Sequence, residues 1–147
     1  PVERFISSIG QAMKNGRLRE FQDTCIKKTS QQTLRCCIKY IQDEGTWFDL
    51  HFAPQALDIA FTTMWQDVPL ATFHFESLPT VLAYLGHSEV QARDGHSEGY
   101  RTDAVLTSMS VDDYDEGMLR SVCEIYEVDV IMFRSLGYAV PRCDPFV

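Results

Sequence analysis

The sequence has no apolar run approaching the ~20 residues that a membrane-spanning helix needs. It has no CxxC pair and no two histidines at HxxxH spacing, so a zinc site is disfavoured and no metal is expected. It has no GxGxxG, no Walker-type phosphate loop and no GxSxG, and no Cys/His dyad is evident. Acids are scarce at the start. Residues 1–40 hold Glu3, Glu20 and Asp23 against eight Lys and Arg (Arg4, Lys14, Arg17, Arg19, Lys27, Lys28, Arg35 and Lys39). The remainder is strongly acidic and the whole chain carries a net charge of −8, which argues against a general nucleic-acid binder. An anionic ligand would meet the N-terminal third; the plainer alternative is that these charges sit on solvated helix faces.

What is present suits one globular unit. Hydrophobic residues make up 45% of 147, enough for a core of its own. The chain opens on Pro1 and not Met, and is expected to be processed or a fragment. Of five cysteines, Cys37 and Cys123 fall on apolar stripes and read as core residues; disulfides are compatible with an oxidising compartment, without an assignable pairing.

Periodicity predicts mostly helices. Phe5, Ile6, Ile9 and Met13 give residues 2–15 an apolar face, with Pro1 suited to the helix start and Asn15-Gly16 to its end. Residues 17–43 read as helix with a break near Thr29–Ser30. A loop holds Gly45 and Pro54. Ala56–Met64 is ambiguous between helix and strand, and Leu70–Phe75 has the composition of a short strand. Leu78, Val81, Leu82 and Leu85 predict a helix ending at Gly86, and residues 87–110 a long polar loop. Residues 111–127 form one acidic-headed helix buried through Met118, Leu119, Val122, Cys123 and Tyr126, followed by a short segment at Asp129–Phe133 and an irregular tail.

Four short patterns carry chemistry. The first is Pro1-Val2-Glu3-Arg4-Phe5-Ile6-Ser7-Ser8-Ile9. Helix-start N–H groups attract phosphate, and a serine a turn or two inside adds a hydroxyl donor. The others are His51-Phe52-Ala53-Pro54-Gln55, then Thr72-Phe73-His74-Phe75-Glu76-Ser77-Leu78, then Tyr126-x-x-Asp129-x-x-x-Phe133 with Gly137-Tyr138. In this order they resemble the Golgi-type carbohydrate sulfotransferases, which use PAPS (3′-phosphoadenosine 5′-phosphosulfate). The first is similar to the 3′-phosphate motif Arg-[Asp/His]-Pro-x-x-Arg-x-x-Ser without its leading Arg. The last is similar to a Tyr-x-x-Asp-Phe-x-x-Phe-x-Tyr signature, with Val130 for the aromatic and a longer step to Gly-Tyr.

The resemblance implies an α/β fold, mostly helical here: the C-terminal part of a P-loop-like sulfotransferase fold with a central parallel sheet. Residues 1–147 would be a single, incomplete sulfotransferase domain lacking its N-terminal half. The activity would be sulfo transfer from PAPS to a carbohydrate hydroxyl, by in-line displacement at sulfur. Ser7 would contact the 3′-phosphate. Arg4 would touch that phosphate or hold the motif in shape through a carboxylate. Arg101 and Thr102 would close over the nucleotide, the plain alternative being a solvated Arg. His51 is the candidate for the acceptor side, against a structural role. His74 reads as structural, and His87 and His96 as solvent-facing. The Lys-bearing 5′-phosphosulfate loop and the general base would precede Pro1, so the isolated chain is expected to be inactive. The implied setting is the Golgi lumen, with membrane contact only through an N-terminal anchor outside this chain. The competing reading is a non-catalytic helical protein-interaction module.

Overall fold

A computed structural model describes residues 1–13, 19–66, 78–86, 105 and 108–147. Its α-helices are α1 (Val2–Ala12), α2 (Arg19–Cys25), α3 (Ser30–Glu44), α4 (Gln55–Gln66), α5 (Leu78–Tyr84), α6 (Glu116–Ile125) and α7 (Glu127–Ser135), with short 3-10 turns at Thr46–Phe48 and Val111–Asp113.

Among the described residues there is no β-strand, which corrects the expected α/β architecture with a central parallel sheet. Helix packing replaces it. The apolar face of α1, with Val2, Phe5, Ile6, Ile9 and Ala12 all buried, meets α6, while α2 and α6 pack on α3. The ambiguous stretch Ala56–Met64 lies inside α4. The strand expected at Leu70–Phe75 falls outside the described residues, as do His74, His87, His96 and most of the expected loop of 87–110.

Local chemistry sets the element ends. Thr29 is extended, and its side chain accepts from the Gln32 N–H, so α3 starts where the break was expected. The acidic helix expected over 111–127 is not continuous. Ser110 and Asp113 form a reciprocal capping box on the 3-10 turn, Tyr114 is extended, and Asp115 caps α6 by accepting from the Met118 N–H at 2.8 Å. Asp113 and Asp115 thus serve two different helix starts. Tyr126 leaves helical geometry (φ −107°, ψ 27°) and separates α6 from α7, so the segment Asp129–Phe133 is itself helical. At the end of α7, Gly137 adopts φ 82°. The Tyr138 N–H donates to the Phe133 carbonyl, and the Gly137 N–H to that of Arg134, both at 2.9 Å. This is a Schellman stop, with the Phe133 and Tyr138 rings in edge contact at 6.3 Å.

The core is aromatic at its centre. Phe52, fully buried, stacks on Phe48 at 5.2 Å and meets the edges of Phe5 at 5.7 Å and Phe21 at 5.8 Å. Thus the loop before α4 is anchored to α1 and α2 by one ring. A disulfide joins Cys123 of α6 to Cys143, tying the tail to the core. The expectation that Cys123 is buried holds, but as half of a cystine. No helix among the described residues is long and apolar enough to cross a membrane.

Candidate functional site

Three of the four patterns singled out in the sequence meet at Arg4. Its guanidinium donates to the Ala53 carbonyl at 2.7 Å and reaches Asp129 Oδ2 at 3.4 Å. It also lies over the Tyr126 ring, 6.0 Å from the centroid. Asp129 is buried, 1% exposed, and its second oxygen accepts from the Ala56 N–H at 2.7 Å. The carboxylate therefore joins α1, the start of α4 and the first turn of α7. Such a charge is tolerated in the interior because both oxygens have donors.

The contact with Asp129 is of the kind expected in the second reading of Arg4, a carboxylate holding the segment in shape. The position of Arg4 one turn into α1 aims it at the 51–56 loop, and Ser8, one turn further on, follows the same stripe. Ser8 is buried, and its hydroxyl donates to the His51 carbonyl at 2.5 Å. Ser8 and the Asp129 clamp are site features that sequence reading did not assign. The signal was there for Ser8, four residues after Arg4 on the same face.

Ser7, one turn after Arg4, is exposed. It does not join the Arg4 network. Its surroundings are the start of a helix whose cap, Pro1, contributes no side-chain hydrogen bond. The first N–H groups of any α-helix lack partners within the helix; Val2 at this start is buried, and Ser7 is the sixth residue of the helix. Glu3 in the same turn is exposed and paired to Arg142 at 3.3 Å, which offsets its charge.

His51 is about half exposed, and its Nδ1 sits 2.6 Å from Asp49 Oδ1, which also accepts from the His51 backbone N–H. A carboxylate partner for this histidine was not foreseen. Asp49 stands two residues before it, where an Asx turn folds the carboxylate back onto the ring. The contact fixes the ring direction and, in the neutral tautomer with the proton on Nδ1, leaves Nε2 as the acceptor. Arg101 and Thr102 lie outside the described residues.

Tyr126 is fully buried under Arg4, and its hydroxyl has no hydrogen-bond partner among the described residues. Burial pushes its ionisation well above the ordinary tyrosine value, against a smaller downward pull from Arg4. It acts as a neutral ring here. Surface depressions of about 490 Å³ at Lys28–Gln31 and about 250 Å³ between α3 and α6 include neither Ser7 nor His51.

The basic N-terminal third is laid against the acidic remainder: Arg4 on Asp129, Arg35 on Asp115 at 2.7 Å, and Glu3 on Arg142 in the reverse sense. The charge asymmetry of the sequence is partly consumed within the fold. Compared with known protein families, with curated proteins and with solved structures, the chain matches none.

Proposed function

We propose that this chain carries the 3′-phosphate-binding part of a PAPS-dependent carbohydrate sulfotransferase. The observation that carries the reading is the Arg4 clamp. The segments picked out by resemblance at residues 1–9, 51–55 and 126–133 are far apart in sequence, yet one guanidinium and one carboxylate tie them together. The clamp fixes the direction of α1, whose start has no side-chain cap and whose Ser7 is exposed. Phosphate at that end would receive backbone N–H bonds and a serine bond, in the favourable field of the helix dipole.

In this reading Ser7 binds the 3′-phosphate, Arg4 positions the segment, and His51 stands on the acceptor side with its ring held by Asp49. Arg101 and Thr102 would cover the nucleotide. The donor is PAPS and the acceptor a glycan hydroxyl. A Golgi-type lumenal setting agrees with the Cys123–Cys143 disulfide, since such bonds persist in oxidising compartments. The isolated chain binds nucleotide without turning it over.

The test is thermal unfolding of the chain with adenosine 3′,5′-bisphosphate. At ligand ~100 times the dissociation constant the stabilisation is about 2.7 kcal/mol. Ser7→Ala should weaken it, while leaving the unliganded melting temperature unchanged. Absence of any shift up to millimolar nucleotide would remove the proposal.

A second reading, a helical interaction module without catalysis, is favoured by one observation. Leu57 and Phe61 of α4, and Val128 and Ile131 of α7, are exposed on two helices that pack together. It predicts no nucleotide-dependent shift.

A further inference from the structure

Cys25, Cys36 and Cys37 are free thiols gathered where α2 turns back along α3. The turn is short and pinned, with the Lys27 N–H donating to Thr33 Oγ1 at 3.0 Å. It brings Cys25 Sγ to 2.7 Å from Cys36 Sγ, across a separation of 11 residues. That is roughly 0.7 Å longer than a disulfide's ~2.05 Å. Cys25 is buried, Cys36 is partly exposed, and Cys37 is buried in the core.

We propose that Cys25 and Cys36 are a second disulfide-forming site, open to a small-molecule disulfide of the glutathione class, with Cys37 remaining a thiol. The same chain already holds the Cys123–Cys143 disulfide, so its fold accommodates cystine beside reduced thiols. Among the described residues no group of three or more His, Cys, Asp or Glu is placed to hold a metal ion.

The partition of roles follows from access. Cys36 is the sulfur that solvent reaches; Cys25 Sγ, 2.7 Å away, takes its proton and releases it to solvent, and the Cys36 sulfur attacks one sulfur of oxidised glutathione. A bond forms between Cys36 and that glutathionyl sulfur, the glutathione S–S bond breaks, and one glutathione leaves. Cys25 then attacks Cys36 Sγ, the mixed disulfide breaks, and the second glutathione leaves. Two protein thiols lose two electrons and two protons, and two glutathione thiols carry them away. Cys25 suits the second step. Hydrogen bonds from Cys37 first, and then from Cys36, outweigh burial and draw its ionisation down to about 7. The product clamps α2 to α3 and closes the turn that holds Lys28 and Thr29.

Incubation of the native chain with oxidised glutathione, N-ethylmaleimide alkylation and tryptic digestion without reduction test this. The expected product links the peptide Glu20–Lys27 to Cys36–Lys39, with Cys37 alkylated, and free thiols fall from three to one. Cys37→Ala should keep the crosslink, and Cys36→Ser should lose it. Native protein in which all three thiols remain alkylatable overturns the proposal without recourse to any variant. A crosslink retained at full yield in Cys36→Ser overturns it as well, by assigning the bond to Cys37.

Discussion

Substitution of Asp129 by alanine is the sharpest probe of the Arg4 clamp. The side chain is buried and accepts two hydrogen bonds that join three parts of the chain. The bond from the Ala56 N–H, at 2.7 Å to a charged acceptor, is of the kind worth about 1.5–3 kcal/mol. The contact with Arg4 is longer, 3.4 Å, and Arg4 is 24% exposed and keeps its bond to Ala53. It therefore adds only about 0.5–1 kcal/mol. Loss of a carboxylate from the first turn of α7 costs a further ~0.3–1 kcal/mol through the helix dipole. The total is about 2–5 kcal/mol, or roughly 5–20 °C in melting temperature for a domain of this size. Urea unfolding followed by far-UV circular dichroism, with the disulfide intact, measures it. Asp129→Asn retains an acceptor for Ala56 and should lose only about 1–2 kcal/mol. An alanine variant within about 0.5 kcal/mol of the parent, the range of ordinary surface changes, would show that the clamp does not hold these segments together.

Other substitutions have different signs or sizes. Tyr126→Phe should be neutral or stabilising in urea unfolding, because it removes a buried hydroxyl without a partner among the described residues; a loss above about 1 kcal/mol would reveal a bond to that oxygen. Phe52→Ala should cost about 3–5 kcal/mol by the same measurement, since its ring joins Phe5, Phe21 and Phe48. Reduction of Cys123–Cys143, with a sequence separation of 20, should lower stability by about 3 kcal/mol in the chain-entropy account. The Cys25 thiol, at about 7 in the fold against 9.0 when unperturbed, favours the folded state increasingly as pH rises from 7 to 9. Cys36, raised mainly by burial to about 11, works oppositely but only above pH 9. Stability measured without oxidant should therefore rise from pH 7 to 9 more steeply in the parent than in Cys25→Ser; parallel profiles would contradict the thiol geometry.

The helices were largely legible because their apolar spacing is local. Phe5, Ile6 and Ile9 announce α1, and Thr29 announces the start of α3. The α4 stretch was ambiguous because its apolar residues run nearly together. The break at Tyr126 was not legible: a single residue leaves helical geometry there inside a continuous apolar pattern. The expected sheet came from resemblance and from the composition of one short segment, and helices alone form the described architecture. At the candidate site, the sequence offered Arg4 two partners, and only three-dimensional closure could choose the carboxylate 125 residues away. Ser7 and Ser8 look alike in sequence. Their opposite fates, one exposed and one bonded to the His51 carbonyl, depend on which face of α1 the 51–56 loop covers. The Cys123–Cys143 pairing had no signature, because its geometry is set by how the tail folds over α6.

Recognition of a ribose 3′-phosphate at the start of α1 is the central claim. Calorimetric titration with adenosine 3′,5′-bisphosphate and with adenosine 5′-monophosphate compares affinities with and without that group. A preference of roughly tenfold or more for the bisphosphate is predicted, as for a charged hydrogen bond of about 1.5–3 kcal/mol, and Ser7→Ala should largely abolish it. Equal affinity for the two nucleotides, or a preference that survives Ser7→Ala intact, would contradict the account.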